Sequence, residues 1–229
     1  MKRLEDLKRF YKLLDTLKQR NGGTLLLKDC HGKTKLPTHG VYFFFEEGEQ
    51  RTDSGEGLRV VRVGTHALTE KSKATLWNRL SWHRGIVKTE GGNHRGSVFR
   101  KLVGKALLKK QQNMSCPNWG VGNSAKPEIR EAEHFMEKIV SIEIGKMPFL
   151  CLPVNDRTLR KFIEQNCIAL LSDYQKEGVA CFDSASRNWL GHHSDCEKVR
   201  GSGLWNSDHV GAEYTSEFLE VFEQLIYQI

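Results

Sequence analysis

No stretch of the sequence approaches the ~18 consecutive apolar residues of a membrane-spanning helix. The first residues, Met1-Lys2-Arg3-Leu4-Glu5-Asp6, also lack the apolar run of a signal peptide. These absences predict a soluble, cytoplasmic protein without a membrane partner. Six cysteines stand at positions 30, 116, 151, 167, 181 and 196, none in a C-x-x-C pair. Reduced thiols are the expectation, with Cys151 and Cys167 buried in apolar patterns. Internal repeats and low-complexity linkers are missing too. Acid is scarce in one place: residues 71–110 hold eleven Lys or Arg and only Glu90 on the other side, a net +10 in a chain whose total is +7. The remainder therefore sums to −3. A basic surface so concentrated points to a polyanion, most simply nucleic acid. A solvated basic face is the plainer alternative.

What is present suffices for a packed core. The chain has 229 residues, 38% hydrophobic and 9% aromatic, which fits one large domain or a core with extensions rather than disorder. Leu4, Leu7, Phe10, Leu14 and Leu17 recur at helical spacing and predict a helix over 2–19, ended by Asn21-Gly22-Gly23. That helix packs on the domain or forms a dimer contact, so monomer and homodimer both stay open. Thr24-Leu25-Leu26-Leu27 reads as a short strand. The runs Gly40-Val41-Tyr42-Phe43-Phe44-Phe45 and Leu58-Arg59-Val60-Val61-Arg62-Val63-Gly64 read as two strands of a hairpin. The acidic, glycine-bearing stretch 46–57 between them reads as an exposed loop. A helical pattern over Thr75–Arg84 follows. Ser97 can cap another helix with Val98, Leu102, Ala106 and Leu107 on its apolar stripe. Pro127 opens a helix to about Ile144, Pro148–Val154 reads as a strand, and Asp156 caps a helix over roughly 158–174. Residues 175–214 show little periodicity, and a closing helix is predicted over 216–227.

The order of these elements resembles the GIY-YIG nuclease superfamily. Gly40-Val41-Tyr42 stands at the first motif, Arg62-Val63-Gly64 at the second, and Leu76-x-x-Arg79-Leu80-x-x-His83 at the Arg-bearing helix. The resemblance implies an α/β (α+β) core, a small sheet flanked by helices, at about 37–155. The segment 1–36 and the extension 156–229 would pack on it. It also implies a metal-dependent DNA endonuclease using Mg²⁺ or Mn²⁺, in a restriction or defence setting. In this family the first-motif tyrosine, here Tyr42, takes part in activating water. Arg79 and His83 are four apart and share a helix face, where a guanidinium suits phosphate and an imidazole suits proton transfer. Met136-Glu137-x-x-Val140 resembles the family's Glu-bearing helix, so Glu137 is the expected metal ligand, with Glu133 one turn earlier as the alternative. Arg84, Lys88, Arg95, Arg100, Lys101, Lys105 and Lys109 are the candidate DNA contacts.

Two departures stand out. Arg62 occupies the place of the second motif's usual tyrosine, either as a new phosphate contact or as an ordinary strand residue. The asparagine expected about a dozen residues after the Glu falls at Phe149, with Asn155 as a displaced candidate. Both departures motivate a rival, a nucleic-acid-binding protein without cleavage. A third reading takes Cys181, His192, His193 and Cys196 as zinc ligands of an interaction module.

Overall fold

The alternation in the first-motif strand dictates the architecture. In the computed structural model, which describes residues 2–174 and 180–229, Val41, Phe43 and Phe45 join one hydrophobic cluster while Tyr42 and Phe44 join a second. Side chains of a strand point alternately to its two faces, so this strand is buried on both sides. Met1 and residues 175–179, the latter expected to be irregular, lie outside the described residues.

The elements run α1 (Lys2–Arg20), β1 (Leu25–Leu26), β2 (Gly40–Gln50), β3 (Leu58–Gly64), α2 (Leu76–Arg84), α3 (Val98–Lys110), α4 (Pro127–Gly145), β4 (Pro148–Pro153), α5 (Arg157–Leu171), α6 (Glu197–Ser202) and α7 (Phe218–Tyr227). The strands form one antiparallel sheet in the order β1-β4-β2-β3. One face packs on α1, α5 and α7 through Leu7, Phe10, Leu14, Ile163, Cys167 and Phe222. The other packs on α2, α3 and α4 through Leu76, Leu80, Phe99, Leu102, Met136 and Val140. Burial of each large apolar side chain stabilises by roughly 1.5–3 kcal/mol, so two such layers fix the sheet between them.

Local sequence sets the helix starts. Thr75 and Asn78 cap α2 reciprocally, Ser97 accepts from Arg100 N at the start of α3, and Asp156 accepts from Leu159 N at the start of α5. Pro127 occupies the first turn of α4.

The expected loop over 46–57 is shorter than its composition suggests, because β2 continues to Gln50. Two of its acids are structural. Glu49, 3% exposed, pairs with Arg59 at 2.6 Å, and Glu46 accepts hydrogen bonds from the indole nitrogens of Trp189 and Trp205 at 3.2 Å each. The acids thus stay on the strand because buried partners hold them. Cys30, Cys116, Cys151 and Cys167 are buried. Among the described residues no helix is long and apolar enough to cross a membrane.

Candidate active site

Tyr42 lies on the α2 side of β2, fully buried, directly opposite Gly64 of β3. A Cβ at position 64 would sit 2.2 Å from the tyrosine Oη. The second-motif glycine is therefore the space into which the first-motif tyrosine fits. Oη lies 2.9 Å from Nε2 of His83, whose Nδ1 lies 2.7 Å from Ser97 Oγ. Burial, reinforced by the Arg79, Arg62 and Arg100 guanidiniums, holds the His83 pKa well below that of a free imidazole. His83 is therefore neutral, with one ring nitrogen free to accept a proton. The tautomer with its proton on Nδ1 donates to Ser97 and leaves Nε2 to accept from the tyrosine hydroxyl.

Arg62 reaches this corner through a β-bulge. Phe44 pairs with Arg62 but Phe45 pairs with Val60, so Val61 is the extra residue and the chain re-aims there. Arg62 is 7% exposed, its guanidinium lies 4.7 Å from the Phe99 ring centroid, and one of its nitrogens donates to Trp205 O. Arg79, half-buried on α2, acts electrostatically on both Arg62 and His83. Among the described residues, Nε of Arg62 and Nε of Arg79 are buried without a hydrogen-bond partner.

The carboxylate facing these two guanidiniums is Glu164 of α5. It accepts from Thr65 N at 3.0 Å, immediately after Gly64. Burial raises its pKa to about 7, against the opposing pull of Arg62, the Thr65 N–H and Arg79, with Asp208 adding a small push upward. The sequence reading missed this residue. Its signal was a lone acid in the apolar helix segment Phe162-Ile163-Glu164, directly after the third long strand.

Glu137, the expected metal ligand, is turned away from this cluster and toward His94 and Arg100. Its Oε1 accepts from His94 N at 2.7 Å and His94 Nδ1 at 2.9 Å, and its Oε2 accepts from Arg100 Nε at 2.9 Å and Nη2 at 2.6 Å. Glu133 is likewise consumed, held bidentately by Arg95 at 2.6 and 2.8 Å. A carboxylate with its lone pairs already filled by buried donors has little left for an ion.

The same pairings revise the basic surface. Arg100 is fully buried, so it is no surface contact for DNA. Arg95 is tied to Glu133, and Arg84 donates to Cys30 O and stacks over Trp77 at 4.9 Å. Lys105 pairs with Asp195 at 2.5 Å, and Lys101 is half-buried. Lys88 and Lys109 stand exposed.

The C-terminal string Ser202-Gly203-Leu204-Trp205-Asn206 covers the outer edge of β3. Trp205 N donates to Val61 O at 2.7 Å, and the Asn206 amide bonds both Val63 N (3.1 Å) and Val63 O (2.8 Å). It does the work of a neighbouring strand and closes an otherwise open edge. Among the described residues no three His, Cys, Asp or Glu side chains form a metal-binding group. The zinc grouping of Cys181, His192, His193 and Cys196 therefore does not assemble; His192 Nε2 instead lies 2.8 Å from Ser186 O.

A strand tyrosine, a helix-borne arginine and histidine, and a carboxylate from the helix after the third strand thus meet at one end of a small antiparallel sheet. Comparison with curated proteins and with solved structures gives no match. The family model for the GIY-YIG domain matches residues 1–229. The chain belongs to the GIY-YIG domain family, whose members are generally endonucleases acting on nucleic acids.

Proposed function

We propose that the chain is a divalent-metal-dependent DNA endonuclease whose working residues are Tyr42, Arg79, His83 and Glu164. The carrying observation is that Glu164 alone of the expected and observed acids faces Arg62 and Arg79 beside the Tyr42–His83 pair. Glu164 fits a Mg²⁺ or Mn²⁺ site, since such ions keep several waters and take one or two carboxylates plus substrate phosphate. When bound, the ion supplies charge at the phosphoryl oxygens.

The chain's own residues do the rest. Arg79 places its unpartnered guanidinium edge on a non-bridging phosphate oxygen. Neutral His83 draws the Tyr42 proton, so the tyrosine oxygen can take a proton from the attacking water. The new P–O bond forms as the bond to the leaving sugar oxygen breaks. Arg62, buried on Phe99 and bonded to Trp205 O, acts as a positioning residue beside Tyr42 rather than as a phosphate contact. Exposed Lys88 and Lys109 contribute to DNA affinity. A restriction or defence setting belongs to the same proposal.

Supercoiled plasmid DNA tests this. With Mg²⁺ or Mn²⁺ the protein converts it to nicked or linear forms, and EDTA stops the conversion. DNA binding without any conversion supports the rival, a binding protein that does not cleave.

A further inference from the structure

Beside the catalytic cluster lies a second set of buried nitrogen donors with unfilled bonding capacity. His66, two residues beyond Gly64, is 5% exposed, and Arg160, in the first turn of α5, is 3% exposed. Among the described residues, five buried side-chain nitrogens lack a hydrogen-bond partner: Nε of Arg51, Arg62, Arg79 and Arg160, and Nδ1 of His66. Four of the five gather at this end of the sheet.

The imidazole of His66 is held rigidly. It stacks on His39 with ring centroids 5.3 Å apart and 13° between planes, and its Nε2 lies 3.0 Å from His39 Nδ1. When His39 donates in that bond, His66 carries its proton on Nδ1, the nitrogen without a partner. Arg160 is held as firmly. Its Nη1 donates to Val154 O at 3.0 Å and Asn155 O at 2.6 Å, leaving Nε free. Burial, Arg160, His39 and Arg79 push the His66 pKa down, to about 4, against a pull upward from the Thr38 carbonyl. Asp156 is the acid that acts on Arg160, and its side chain is engaged in capping Leu159 N at 2.7 Å.

We propose that His66 and Arg160, together with Arg79, form a second phosphate seat, which holds the phosphodiester next to the scissile one on the same strand. Buried donors with no acceptor are stabilised by an anion that satisfies them. Arg79 links the two places, because its charge acts on Glu164, Arg62 and His83 and also on His66. The occupant must therefore carry two phosphates in sequence, as a nucleic-acid strand does. This deepens the nuclease reading and rests on it for the identity of the first phosphate.

The test is calorimetric binding of deoxythymidine 3′,5′-bisphosphate and of the 5′-monophosphate, in EDTA. The wild-type protein binds the bisphosphate about tenfold more tightly, the worth of one charge-assisted hydrogen bond. His66→Gln keeps a nitrogen at the Nε2 position but not at Nδ1, and removes that advantage. His66→Asn keeps the Nδ1-like nitrogen and retains most of it, which a purely structural role would not do. Equal affinities in the wild type, or an undiminished preference in a folded His66→Gln, overturn the proposal. If His66→Gln does not fold, Arg160→Gln must show the same loss. Because the assay needs no cleavage, a protein that prefers the bisphosphate yet never cuts DNA keeps the second seat and loses the nuclease reading. One that cuts without the preference does the reverse.

Discussion

Glu164 is a carboxyl group whose protonation the fold controls. In an unfolded chain a glutamate titrates near 4.3, whereas burial here raises the value to about 7. A folded pKa above the unfolded one means that the native state holds the proton more tightly. The associated stability is fully present below the unfolded pKa and is lost as pH rises through the folded one. Glu164→Gln carries no charge at any pH and still accepts from Thr65 N. In metal-free buffer, the melting temperature of the wild type should therefore fall relative to Glu164→Gln between pH 5 and 8. A fall of about 2–4 °C corresponds to ~1 kcal/mol in a chain of this size. A difference that stays flat across this range would mean that Glu164 ionises as an exposed glutamate does.

The elements bring the site together by packing that a linear pattern expresses unevenly. The hairpin, Tyr42, and the Arg79/His83 face of α2 were legible because strand alternation and the i,i+4 rule are local. The helix starts were legible because caps are local as well. The bulge at Val61 was not, since register depends on both strands together, and neither was the covering of the β3 edge by Trp205 and Asn206, about 140 residues away. Glu137 was expected because Met136-Glu137-x-x-Val140 resembles the family's Glu-bearing pattern. The structure shows that α3 and α4 both intervene before β4, and that the acid turned to the cluster is on the helix after that strand. Arg100 looked like one more surface cation. Only the tertiary contact with Glu137 reveals it as a buried counter-charge. At this scale Gly64→Ala is informative. Its new Cβ would lie 2.2 Å from Tyr42 Oη, an overpacking that costs about 1–3 kcal/mol. Thermal melting should show a clear loss of stability, and plasmid nicking should fall with it. An unchanged melting temperature would place the tyrosine elsewhere.

Across the whole molecule, two acid–base systems adjoin at His83, whose backbone O accepts from Arg100 Nη1 at 2.9 Å. One is closed: Glu137, Arg100 and His94 satisfy one another inside the α3–α4 layer and hold the helices together. The other is open: beside Glu164 and the Tyr42–His83 pair, Nε of Arg62 and Nε of Arg79 are buried without a hydrogen-bond partner among the described residues. Closed networks stabilise, and open ones bind. Breaking a buried ion pair by removing one partner costs about 3–5 kcal/mol, whereas removing one charge-stabilising group from a reacting centre costs about 10²–10³ in rate. The measurement that separates them is a side-by-side comparison of Glu164→Gln and Glu137→Gln, each scored for metal-dependent plasmid nicking, DNA binding and melting temperature near pH 6. Glu164→Gln should lose nicking by at least ~10²-fold while keeping DNA binding and its melting temperature. Glu137→Gln should melt markedly lower while its folded fraction still nicks within a few-fold of wild type. A Glu164→Gln protein that nicks normally, beside a stable Glu137→Gln protein that does not, would contradict the account.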